Sequence, residues 1–287
     1  MKPASSRYGI CKLTGQSGKL VRSHLLPKAL TKSPVPGEPR VEAGEGRRPS
    51  QRFDAWHDSG IVTRTGEDIL MRYDDRAIVE LRRLKLLWES FGESDRLDGS
   101  EIEWPVPEWG FRRLKTPHFK LLRLFFLSLL WRAAITKLPG FTSITLSDIR
   151  LEVLRRMVAD GDPEPQTVFP ITLTQLATRG PWHTASPTVD YVTYEAVDGV
   201  PEQQVRSFRF YFDGLIARID DEETDTSGVD RWSHAAVGRS EDLFVMARPF
   251  EGSRQSERIE SLIRATEKSH LGAVARIFGW HRNPDQS

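Results

Sequence analysis

The segment Phe119–Thr136, FKLLRLFFLSLLWRAAIT, restricts the fold more than any other part of this chain. It is apolar around most of its circumference at helical spacing, so other elements must enclose it on several sides. Lys120, Arg123 and Arg132 interrupt it and leave eight consecutive uncharged residues, Leu124–Trp131. A membrane-spanning helix needs about 20 mainly apolar residues, and each central Arg or Lys costs roughly 2.5–3.5 kcal/mol on the insertion scale. The segment therefore predicts the buried helix of a soluble protein with no membrane partner. The opening MKPASSRYGICKLTG lacks the apolar run of about 7–15 residues that a secretory signal requires. A cytoplasmic location is expected, which also suits the lone cysteine, Cys11. One cysteine excludes a disulfide framework and any all-cysteine zinc site within the chain.

The 287 residues carry 41 basic and 40 acidic side chains, and 38% are hydrophobic, which excludes a disordered tail protein. The charge is unevenly placed. Residues 1–50 sum to +7 against −6 for the remainder, and no acid precedes Glu38. A concentrated basic stripe is the footprint of phosphate-backbone contact, although a solvated basic arm has the same composition.

Spacing divides the chain into three parts: a basic module at 1–92, a helical domain at 93–165, and a hairpin-rich section with a terminal helix at 166–287. The stretch Ser33–Ser50 is rich in Pro, Gly and charge and is expected to be an exposed loop. From Asp68 onward, Ile78, Leu81, Leu84, Leu87, Trp88 and Phe91 recur at helical steps. Ser90–Pro117 reads as loop. Ser147 is placed to cap a helix over Asp148–Ala159 that stops at Gly161. Tyr191–Ala196, Val205–Ile219 and Leu243–Ala247 read as strands, with Asp213-Gly214 as a hairpin turn. Ser256–Ile277 is expected to close the fold as a helix. The class is α+β.

The segment with chemical content is Cys11–Ala29, CKLTGQSGKLVRSHLLPKA. A short strand, Lys19–Arg22, leads into Ser23-His24-Leu25-Leu26-Pro27. This strand-end histidine followed by two aliphatics and proline resembles the His-Me finger (HNH, ββα-metal) endonuclease motif. The resemblance implies a small ββα-metal-like module at the N-terminus, with His24 as the general base that activates water. It also implies one divalent metal, Mg²⁺ or Mn²⁺, on the scissile phosphate, for which the matching positions offer Ser23 and Asp75. His57, lying between the two halves of the motif, is a further metal candidate. Lys19, Arg22, Lys28, Lys32, Arg47 and Arg48 would hold the nucleic-acid backbone, most simply that of DNA.

The family's zinc-binding pairs fall here on Cys11, Thr14, Met71 and Asp74, so no structural zinc is expected. Its middle asparagine has no counterpart, since Asn283 is the only asparagine in the chain. A broader similarity covers roughly the first half, through Ser23–Thr31, Thr63–Asp75 and Phe125–Ala133. Bacterial proteins with this order of features look like HNH-derived components of mobile elements or antiphage defence, where a regulatory protein chain could be a partner.

Each candidate has a plainer alternative at this point. His24 could be a satisfied core histidine, and Asp75, with Glu67 and Asp68, could serve the helix dipole. Cys11 could be a small buried hydrophobe, and the Trp56-His57 pair could simply pack. Three functions stay open: a metal-dependent nuclease, a catalytically inactive nucleic-acid or protein binding module on an HNH-derived scaffold, or an unrelated interaction or enzyme function carried by the β-rich half. Oligomeric state is not readable.

Overall fold

The computed structural model describes residues 8–31, 40–43, 50–52, 56–196, 202–221 and 235–267. The N-terminal part contains β1 (Tyr8–Ile10), β2 (Ser17–His24), α1 (Lys28–Thr31), β3 (Arg40–Ala43), β4 (Ser50–Arg52), β5 (His57–Thr63) and α2 (Arg64–Arg83). Then come β6 (Glu103–Val106), β7 (Trp109–Leu114), α3 (Phe119–Ile135), α4 (Asp148–Asp160), β8 (Ile171–Leu176) and β9 (Thr184–Ala185). The chain continues through β10 (Thr188–Tyr194), β11 (Gln203–Phe212), β12 (Leu215–Asp220), β13 (Leu243–Arg248) and α5 (Arg254–Glu267). The class is α+β, as the spacing predicts, and it is built around a large mixed sheet.

α3 is the axis. Its side chains are buried without a break from Leu122 through Ala133. α2 and α4 pack on it from the helical side, and the seven-stranded sheet β10-β11-β12-β8-β13-β7-β6 covers it from the other. One apolar cluster runs from Cys11 and Leu13 through α2 and α3 to Phe208, Phe210, Leu215 and Val245. The divisions at 92 and 165 therefore do not separate cores. No helix among the described residues is long and apolar enough to cross a membrane.

Two sequence expectations are corrected. Ser90–Pro117 contains β6 and β7, which complete the edge of the large sheet; Pro105 and the turn at Glu108 break the alternation that would have marked them. Ser33–Ser50 contains β3, whose backbone pairs in parallel with β9 at Glu42–Thr184 and Ala43–Ala185. Residues 33–39 and 44–49 of that stretch, Arg47 and Arg48 among them, lie outside the described residues, as do Lys32 and the expected terminal helix beyond Glu267.

The Asp213-Gly214 turn joins β11 to β12 with Phe212 opposite Leu215. Both turn residues have positive φ, 41° and 85°, as a two-residue hairpin loop requires. A Cβ on Gly214 would lie 2.3 Å from Trp88 Nε1, which donates to the Leu176 carbonyl at 2.8 Å. Gly214→Ala should therefore cost at least about 2 kcal/mol, from left-handed strain plus overpacking. Urea denaturation of the full chain measures this.

Candidate functional site

Three strands and a helix present the His24 region. β2 lies between β1 and β5, both antiparallel to it, and β5 runs directly into α2. The ladder places Ser23 opposite Asp58 and His24 opposite His57, with a register shift around Arg22. The first turn of α2 comes unusually near the sheet. A Cβ on Gly66 would be 2.7 Å from Cys11 Sγ and 3.1 Å from Val62 Cβ, so glycine permits the approach.

Helical phase then decides which acids of α2 face inward. Glu67, Leu70, Ala77, Ile78 and Leu81 are buried on one face, and Asp74 falls in the same phase. Asp75 and Met71 are one step off this face and exposed. The acid that faces the end of β2 is therefore Asp74, not Asp75.

Arg132 of α3 is the centre of this region. Its Nη1 donates to Asp74 Oδ2 at 2.9 Å and to the His24 carbonyl at 2.9 Å. Nη2 donates to Asp74 Oδ1 at 2.7 Å and to Ser128 Oγ at 3.0 Å. Nε donates to the Ser128 carbonyl at 3.2 Å. A guanidinium has five N–H donors, and all five are used. Both oxygens of Asp74 are used as well. Burial pushes the Asp74 carboxyl up, and the facing Arg132 charge and its hydrogen bonds pull it back.

Around this knot, Asp58 Oδ2 accepts from Thr136 Oγ1 at 2.7 Å, a second tie between β5 and the end of α3. Trp56 packs edge-on against Phe141. Arg22 Nη2 donates to His57 Nδ1 at 3.1 Å. A guanidinium can only donate, so Nδ1 accepts and the ring proton of that His57 sits on Nε2. His24 itself is half-buried and feels the Asp74 charge.

The expected metal set does not fit this geometry. Ser23 is fully buried, Asp75 is exposed, and the inward Asp74 is consumed by Arg132. His57 accepts from a cation on its Nδ1. Among the described residues, no group of three His, Cys, Asp or Glu side chains is placed to hold a metal ion. Of the phosphate-contact candidates, Lys19, Arg22 and Lys28 are exposed. Cys11 is buried, and hydrogen bonds from Thr14 and Thr63 lower its pKa although burial opposes them.

Sequence reasoning missed Arg132 and Asp74 as a pair. The signal was present: an arginine inside a buried apolar helix requires partners, and Ser128 stands one turn before it.

Comparison with family models, with curated proteins and with solved structures returns no match.

Beside the knot, Glu67 Oε2 and Ser23 Oγ are both buried without a hydrogen-bond partner. Ser23 lies near enough to favour the Glu67 charge but falls short of a formed bond. Burial is the larger influence, and the Glu67 pKa is raised. A proton on Glu67 would let it donate to Ser23. With the folded-state value above the unfolded one, Glu67 contributes its full stability below the ordinary glutamate pKa, and this is lost as pH rises through the folded-state pKa. Glu67→Gln should accordingly raise the melting temperature at pH 7 by about 2–4 °C. The difference from wild type should close near pH 4, as followed by thermal unfolding across pH.

Proposed function

We propose that the module from Tyr8 to Arg83 binds nucleic acid on a strand–strand–helix scaffold of His-Me finger type, without hydrolysing it. The observation that carries this reading is the saturation of Arg132 and Asp74 by each other and by the His24 carbonyl. The charge that a nuclease of this type would direct at a metal is spent here on fixing the strand end to two helices. Metal-dependent cleavage, the other function the resemblance implies, would need donors that the described residues do not bring together. The antiparallel β2–β5 pair running into α2, with a histidine at the strand end, supports the scaffold.

A basic surface supports binding. Lys19, Arg22 and Lys28 are exposed along and just after β2, and Arg64, Arg72 and Arg76 are exposed on α2. On β1, Tyr8 is 79% exposed and stands directly opposite Lys19. An aromatic ring beside a lysine on an open sheet face offers a stacking surface for a base and a cation for the adjoining phosphate. Cations that touch only phosphate give affinity without sequence preference and a strong dependence on salt.

Fluorescence anisotropy with short DNA and RNA, single- and double-stranded, tests this. Binding should weaken linearly in log–log form with salt, and Lys19→Glu with Lys28→Glu should reduce the slope by about 2. No product should form with Mg²⁺ or Mn²⁺. Absence of binding at low salt would contradict the proposal. So would metal-dependent cleavage that His24→Ala abolishes, which would restore the hydrolytic reading.

A further inference from the structure

The large sheet has a second face, turned away from α3, that carries a different kind of site. Strand alternation puts Phe208, Phe210, Ala217 and Ile219 in the core, and therefore puts Arg209 and Arg218 on the opposite face. These two arginines are register partners on β11 and β12. Like charges directly opposite each other on neighbouring strands are destabilising unless something between them carries the opposite charge.

They line a cavity of about 490 Å³ together with Arg248, Arg254, Trp109 and a single carboxylate, Asp190. Four arginines thus line the cavity with one acid; outside its lining, Tyr194 donates to Asp220 at 3.2 Å and also neighbours Arg218. Arg209 is nine-tenths buried and has one hydrogen bond, from Nη2 to Gln255 Oε1 at 2.7 Å. The Nε atoms of Arg218 and Arg248 are buried without any partner. Burial and the neighbouring Arg258 and Arg218 lower the Arg209 pKa to about 10, with Asp190 opposing, so the group is still charged at neutral pH.

The site is also held in place. Gln255 Nε2 donates to His183 Nε2 at 2.5 Å, and His183 Nδ1 bonds the Pro181 carbonyl at 2.7 Å. The His183 ring is fully buried and stacked on Tyr211 at 4.4 Å, and burial lowers its pKa to about 4, which keeps it neutral. A neutral His183 donating from Nδ1 must accept at Nε2. That orients the Gln255 amide so that its oxygen points at Arg209.

Two further features converge on the same space. α5 starts there: Ser253 Oγ accepts from Ser256 N at 3.1 Å as its cap, and Ser253, Arg254 and Gln255 line the cavity. The first turn of a 14-residue helix brings unbonded N–H groups and the positive end of its dipole. At the rim, the Arg248 guanidinium lies 4.6 Å from the Trp109 ring centroid, and Trp109 is 37% exposed.

The geometry points to a binding site for a nucleoside phosphate, with the phosphate between Arg209, Arg218 and the start of α5 and the base against Trp109. The arginine pair explains the need for an anion, since a phosphate accepts from several guanidinium donors at once. The volume fits a small organic ligand rather than a lone oxyanion. Trp109, partly exposed at the rim with Arg248 against its ring, supplies an indole on which a flat ring stacks. This site is separate from the basic surface of the N-terminal module and does not rest on its function.

Isothermal titration calorimetry on the full chain tests the assignment, with inorganic phosphate, the four ribonucleoside monophosphates and adenosine as probes. At least one monophosphate should bind more tightly than inorganic phosphate, and adenosine should not bind detectably. Arg254→Gln, an exposed position, and Arg218→Gln should each weaken the monophosphate by about tenfold. Trp109→Ala should weaken the monophosphate while leaving inorganic phosphate unchanged. The Lys19→Glu, Lys28→Glu variant should bind the monophosphate as wild type does. The assignment is overturned if no monophosphate binds at low millimolar concentration, if adenosine binds equally well, or if the arginine variants bind unchanged.

Discussion

A guanidinium placed inside a hydrophobic helix needs partners for its donors, and meeting that need in full for Arg132 organises the N-terminal half of this protein. Desolvating the charge costs several kcal/mol, and only a facing carboxylate with good geometry offsets it. Asp74 supplies the carboxylate, Ser128 supplies two acceptors from the preceding turn, and the His24 carbonyl takes the last N–H. Those partners belong to α3, α2 and the end of β2. One side chain therefore sets where the small sheet sits relative to the helical core. Arg123, nine residues earlier on α3, is served less completely: its Nε and Nη2 donate to the carbonyls of Pro163 and Val168, while its Nη1 is buried without a hydrogen-bond partner.

The same knot bears on function. A strand-end histidine facing a helix acid is an arrangement suited to hydrolysis only if the acid is available to a cation. Here the cation is part of the protein. Because Arg132 has no donor left, it also cannot reach a phosphate, and the binding proposed above rests instead on the exposed lysines and arginines of β2, α1 and α2. Charge in this molecule is thus used in two ways: paired and structural under the sheet, exposed on its surface. The second face of the large sheet is intermediate, with guanidinium groups fixed by hydrogen bonds but outnumbering their acids.

Much of this was legible in the sequence. The apolar run gave α3 almost to the residue, Ser147 and Gly161 bounded α4, and Asp213-Gly214 marked its hairpin. Local chemistry decides those features. The pairing of β8 with β13 in parallel, and the return of β6 and β7 to that sheet, depend on contacts distant in sequence, which periodicity does not encode. At the site, Ser23-His24 at a strand end was readable, and the resemblance points to Asp75, whereas helical phase turns Asp74 inward. Glu67, Leu70, Asp74, Ala77 and Ile78 share one face, a period that can be counted along the sequence. The opposed Arg209–Arg218 pair needed the β11–β12 register, which the turn residues fix, together with the knowledge of which face α3 covers.

A double-mutant cycle on Asp74 and Arg132, read by urea denaturation, tests the central claim most directly. Asp74→Asn and Arg132→Met should each cost about 3–5 kcal/mol, because each leaves the other charge buried and uncompensated. The double variant should cost little more than either, giving a coupling of about 3 kcal/mol. Additivity within about 0.5 kcal/mol would contradict the account, since it would mean that the two residues stabilise the fold independently.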